Sequence, residues 1–175
     1  MKFRLIITFL IFASHLAKAD EKAEQAIAAA KRAMENDLWD VATSKLQATA
    51  ELPNLPLDTR AEILIMLAES YIRSDQTTKA LSLLEQPSVA NLPETPFWRG
   101  LALAGSGRFN EAAESLAIIA GQPNHPFVRE AALTSASLYL SLNLPEKSLK
   151  ILKLLDASPK NSDHIDAAFY QAEIL

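Results

Sequence analysis

Small residues return along this 175-residue chain at a nearly fixed interval: Ala30, Ala68, Gly100, Ala136 and Ala172, spaced by 38, 32, 36 and 36. A second column, Ala42, Ala80, Ala112 and Ser148, follows each of the first four by twelve residues. Two small positions in every unit of about 34 to 36 residues are what stacked helix pairs require. One lets the two helices of a pair approach closely. The other seats the pair against its neighbour.

The hydrophobic pattern agrees. Apolar residues at helical spacing, such as Leu64, Leu67, Ala68 and Tyr71, predict helices near 21–35, 39–51, 60–73, 77–86, 96–105, 109–120, 126–141, 145–156 and 164–175. Pro53, Pro93, Pro123 and Pro159 stand between units, where they end each pair. Short polar turns such as Ser74-Asp75-Gln76 and Gly105-Ser106-Gly107 join the helices within a pair. No strand pattern competes, and Thr59-Arg60-Ala61-Glu62 fits a capping box.

Gly100, the run Gly107-Arg108-Phe109-Asn110-Glu111-Ala112 and Leu116 together resemble a tetratricopeptide repeat. They match that family's small first-helix residue, its Gly-x-aromatic-x-Glu-Ala turn and its large apolar second-helix residue. Leu64, Leu67, Ala68, Tyr71, Ala80 and Leu84 match in the second unit, and Ala132, Ala136, Tyr139, Ser148 and Leu152 in the fourth. The first unit has Ala30, Ala42 and Leu46 in register but Ala33 where an aromatic is usual. The resemblance covers the chain from about residue 21 onward. It implies an all-α α-solenoid of stacked antiparallel helix pairs, about four repeats plus a partial fifth. The units fall near 21–54, 59–92, 94–124 and 126–160, with the partial one at 164–175. The departures are turns of varying length, Pro96 shortening a helix, and Pro145 in place of the fourth turn's aromatic.

The amino terminus stands apart. Lys2 and Arg4 precede an apolar run over residues 5–13, and Ala17-Lys18-Ala19 presents small residues to a signal peptidase. This is the pattern of a signal peptide spanning 1–19, cleaved after Ala19. The run is too short for a membrane span, which takes about 18 or more apolar residues, so no stable membrane insertion is expected after cleavage. Removing Lys2, Arg4 and Lys18 takes the formal net charge from −4 to −7. An acidic chain lacks the cationic footprint that nucleic acid requires. With no cysteine, disulfides are excluded and so is a lipidated cysteine. Export without disulfides suits a bacterial periplasm or secretion.

No reaction centre is legible. After cleavage only His125 and His164 remain as histidines, far apart in sequence, and four glycines form no phosphate loop. Ser106 between Gly105 and Gly107 resembles a nucleophile elbow, but its flanks are helix and helix, not strand and helix. No cofactor, no metal and no enzymatic activity are expected.

If first helices line the concave face, as the resemblance implies, two apolar columns point into a groove. One is Ile27, Ile65, Phe97, Leu133 and Phe169; the other is Met34, Ile72, Ala104 and Leu140. They either receive a segment of a partner protein or pack between adjacent helices, the ordinary meaning of apolar residues at helical spacing. Trp98, beside Arg99, and Leu101 join the candidate contacts, since Trp and Arg are common anchors. An acidic column, Glu24, Glu62, Glu94, Glu130 and Asp166, either rims the groove for a basic partner or answers the dipoles at helix starts.

The implied function is an exported, non-catalytic scaffold of the bacterial cell envelope that binds proteins or peptides on its concave face. A second reading makes the array the amino-terminal region of a larger envelope enzyme, such as one that cleaves cell wall. The fifth unit has no second helix. The chain is therefore expected to continue past Leu175 or to self-associate through its uncapped repeat end, the alternative being that the last helix is itself a short cap.

Overall fold

The computed structural model describes residues 21–156. They form eight helices: α1 through 21–35, then α2 (Trp39–Ala50), α3 (Leu57–Arg73), α4 (Thr77–Leu84), α5 (Thr95–Gly105), α6 (Phe109–Ala120), α7 (Val128–Ser141) and α8 (Pro145–Asp156). There is no strand among the described residues. From α2 onward each helix packs on the next, and α3 also packs on α5, and α6 on α8. The result is a solenoid of four helix hairpins. Residues 1–19 and the partial fifth unit, with Ala172, Phe169, Asp166 and His164, lie outside the described residues.

The two small-residue columns are the seams of this stack. Ala30, Ala68, Ala136, Ala42, Ala80, Ala112 and Ser148 are wholly buried, and Gly100 is buried with them. Gly100 shows why smallness matters. A β-carbon there would come within 2.5 Å of Leu116 Cγ on the facing helix α6.

All four hairpins turn in the same way. One residue in each turn takes the left-handed conformation: Asp37 (φ 56°), Asp75 (φ 60°), Gly107 (φ 76°) and Asn143 (φ 58°). The amide after it donates back five residues to the first helix: Leu38 to Ala33, Gln76 to Tyr71, Arg108 to Leu103 and Leu144 to Tyr139, at 2.7–2.9 Å. The left-handed residue's own amide donates three residues back, to Met34, Ile72, Ala104 and Leu140. This pair of bonds is a Schellman ending, which satisfies helix-end carbonyls that would otherwise lack partners. Asp, Asn and Gly are the residues that tolerate the conformation at least cost. The expected variation in turn length therefore does not occur inside the hairpins. It resides in the connectors between them, 51–56, 85–94 and 121–127.

Side chains fasten those connectors. Arg60 of α3 donates to the carbonyls of Ala50 (2.6 Å) and Leu52 (3.2 Å) at the end of α2. Buried Thr95 donates its hydroxyl to the Val89 carbonyl, closing the long α4–α5 connector. Gln47 of α2 donates to the Tyr71 hydroxyl of α3 at 2.7 Å, across the first unit boundary.

Two expected starts are corrected. Helix α3 begins at Leu57, not near 60, because Pro56 with φ −52° sits at its N-cap. No side chain caps that end, so the Thr59–Glu62 box does not form. Helix α7 begins at Val128, two residues late, because the turn at 122–127 holds Phe127 as its N-cap.

The core divides at α6. Leu116 and Ile119 belong to a large apolar cluster reaching back to Ala23, whereas Ala113 and Ala120 join a smaller one with Ala132, Ala136, Tyr139, Ile151, Leu152 and Leu155. Hydroxyls tie α6 on both sides. Ser115 donates to the Pro96 carbonyl (2.7 Å), and buried Ser135 donates to that of Ala113 (2.9 Å).

Candidate functional site

Along α3, Asp58, Ala61, Glu62, Ile65, Met66 and Glu69 recur at helical spacing and so occupy one stripe. That stripe forms one wall of a cleft of about 410 Å³. The opposite wall is Leu92 and Glu94 from the α4–α5 connector, Trp98 of α5 and Phe127 at the head of α7. Every helical residue of the cleft belongs to a first helix of a hairpin, the face on which the sequence places the groove.

Two aromatic rings of that wall, Trp98 and Phe127, pack on a third, the buried Phe97. Phe97 and Phe127 stack with centroids 4.3 Å apart and planes 8° from parallel. Trp98 meets both edge-on, at 5.0 Å from Phe97 and 5.4 Å from Phe127. Such offset and edge contacts suit the charge distribution of aromatic rings. Trp98 is only 4 % exposed. Its indole Nε1–H is buried and donates to no acceptor among the described residues, an uncommon condition for a buried donor.

The rim is anionic. Asp58, Glu62, Glu69 and Glu94 line the cleft, and no cationic side chain does. Exposed Lys31 on α1 pairs with Glu62 at 2.8 Å. Arg73 approaches Glu69 only to 4.0 Å. Burial raises the Glu69 carboxyl above the ordinary carboxylate range; Arg73 offsets part of that rise and Glu130 adds to it. Glu62 lies beyond the first turn of α3, so the helix-start account of the acidic column does not reach it. Glu130 is in the first turn of α7 and Glu94 is the N-cap of α5.

The sequence-nominated contacts separate accordingly. Ile65 and Trp98 line the cleft. Phe97 is wholly buried and Ile27 nearly so, which corrects their place in a groove-facing column: Phe97 lies beneath the Phe127 ring, inside the core. Met34, Ile72 and Leu101 pack partly buried against the larger cluster, and Leu133 against the smaller. Leu140 is half-buried at the α7 turn. The apolar columns are thus mainly packing, and the open surface is shorter than they suggest. Met66, Glu69, Asp58, Leu92 and Phe127 were not nominated. For the first three the signal was present, since they share the helical stripe of Ile65 and Glu62.

The two candidate reactive side chains among the described residues, Ser106 and His125, lie in separate turns. Ser106 is the C-cap of α5, its hydroxyl bonded to the Ala102 carbonyl (2.8 Å) and to Thr77 Oγ1 (3.0 Å). His125 accepts the Phe127 amide on Nδ1 (3.2 Å), and its Nε2 is buried with no partner among the described residues. Among the described residues no three His, Asp or Glu side chains converge as for a metal. No helix among them is long and apolar enough to cross a membrane.

Comparison with solved structures bears on the architecture. The chain is similar to two crystal structures of a Podosopora anserina chain assigned as a kinesin light chain, with nearly identical TPR-like repeats. One has a TM-score of 0.66 at 19 % identity, the other 0.65 at 18 %; each alignment covers 91 % of this chain and 86 % of that one. The fold is a TPR-like helical repeat array. At such identity the likeness speaks to fold alone. No protein-family model matches, and neither does any curated protein.

Proposed function

We propose that the protein is an exported, non-catalytic scaffold of the bacterial cell envelope, which docks a segment of another protein in the cleft along α3. The observation that carries this reading is the cleft itself, an apolar trough of Ile65, Met66, Leu92, Trp98 and Phe127 on the first-helix face. Repeat arrays expose extended concave surfaces of this sort for partner segments. Support for export comes from the segment 1–19, with its two early cations, short apolar run and Ala17-Lys18-Ala19 end. A periplasmic or secreted location follows.

Two measurements test it. A reporter enzyme active only outside the cytoplasm, fused after residue 19, gains activity in a diderm bacterium. Loss of that activity follows when Leu10→Arg interrupts the apolar run. The chain from residue 20 onward, screened against a displayed library of random dodecapeptides, selects binders that Ile65→Glu abolishes while helicity is kept. Selected peptides indifferent to Ile65→Glu refute docking in the cleft, and an inactive fusion refutes export.

A further inference from the structure

We propose that the cleft takes an extended peptide bearing a lysine or arginine beside an apolar residue, with the cation among Glu62, Glu69, Asp58 and Glu94 and the apolar side chain against Ile65, Met66 and Phe127. This rests on the docking reading above and specifies its ligand.

Charge complementarity comes first. Four carboxylates line one trough with no cationic side chain in its wall. Like charges gathered on a partly desolvated surface repel one another and favour a cation placed between them. The internal cations do not fill that place. Lys31 reaches Glu62 from α1 with both side chains about half exposed, and Arg73 stands 4.0 Å from Glu69, at the limit of pairing. The Glu69 side chain is 22 % exposed and burial raises its proton affinity, so its charge is poorly served by solvent. An arriving ammonium or guanidinium supplies what both are missing.

The second observation is independent of charge. Between those carboxylates the cleft is apolar, lined by Ile65, Met66, Leu92 and Phe127. These residues receive the stem of the cationic side chain and its apolar neighbour, as long cationic side chains bury their methylenes while keeping the head polar.

The same dodecapeptide selection, read for composition, decides the matter. Peptides lost on Ile65→Glu are expected to be enriched in Lys or Arg next to an apolar residue. Their affinity falls at least tenfold in the Glu62→Gln, Glu69→Gln double variant, whose isosteric changes spare the fold, and falls again between 50 and 500 mM salt. In Trp39→Phe protein, where only Trp98 emits, binding shifts its fluorescence. Cleft-dependent peptides that are neutral or acidic, or cationic ones indifferent to the double variant, overturn the inference and leave docking intact. An absence of cleft-dependent peptides overturns both. Binding of spermidine with the same dependence on Glu62 and Glu69 and the same Trp98 shift also overturns it, because a polyamine offers no apolar side chain to Ile65, Met66 and Phe127.

Discussion

A β-carbon on Gly100 would stand 2.5 Å from Leu116 Cγ and 2.8 Å from its Cδ2, closer than carbon atoms approach without displacement. Leu116 is wholly buried in the larger core cluster and has little room to move. The contact sets the spacing between α5 and α6. Gly100→Val should therefore destabilise by about 1–3 kcal/mol through overpacking. Combined with Leu116→Ala, which vacates the contested space, it should cost less than the sum of the single changes. Urea unfolding of the four proteins in this cycle measures the difference; strict additivity would contradict the contact.

Gly107 has the opposite surroundings. Nothing lies within 4 Å of a β-carbon built there, and the constraint is its φ of +76°. Gly107→Ala should cost about 1–2 kcal/mol from the left-handed backbone alone. Gly107→Asn should cost less, because Asn143 holds the equivalent place in the last hairpin with φ 58°. Thermal unfolding of the two variants side by side tests the order.

Arg60 is expected to act as a fastener between units. Its guanidinium accepts no charge partner in this role; it donates to two backbone carbonyls, of Ala50 and Leu52. Arg60→Met keeps the stem and removes both bonds, at a cost of about 1–2 kcal/mol for partly exposed, charge-assisted bonds. Hydrogen exchange should quicken first in α1 and α2, ahead of α5 and α6. Uniform quickening along the chain would count against a local fastening.

Glu69 gives a pH signature. Its folded proton affinity is raised, chiefly by burial, above that of an ordinary carboxylate. Between the unfolded and folded values the native state holds more protons, so stability falls as pH rises through that window. The neutral form is the better tolerated one. Glu69→Gln should thus be more stable than wild type at pH 7, with the advantage fading below about pH 4, where the unfolded carboxyl is protonated too. Chemical denaturation from pH 3 to 7 reads the curve; an advantage that grows toward acid would reverse the sign.

The periodic small residues made the stack legible before any coordinates, because a close seam tolerates few alternatives. Every described member of both columns is buried where the stack requires it. Hairpin turns were legible in position but not in their sameness. Asp37, Asp75, Gly107 and Asn143 differ in identity while sharing one backbone conformation. The start of α3 is not legible because Thr59-Arg60-Ala61-Glu62 imitates a capping box, whereas Pro56 holds the N-cap. The cleft was half legible. Ile65 and Glu62 announced its α3 wall, but Leu92 and Phe127 sit in or beside irregular connectors, where no periodicity marks the inward side. That omission also left Phe97 assigned to the surface, since the ring that covers it arrives from the next unit.

Helix α6 is committed on two sides, with Leu116 and Ile119 in one apolar cluster and Ala113 and Ala120 in the other. Tension applied along the array would concentrate on that shared helix. The clusters on its two sides would yield separately, and the extension would come in distinct jumps, making α6 the latch between two blocks.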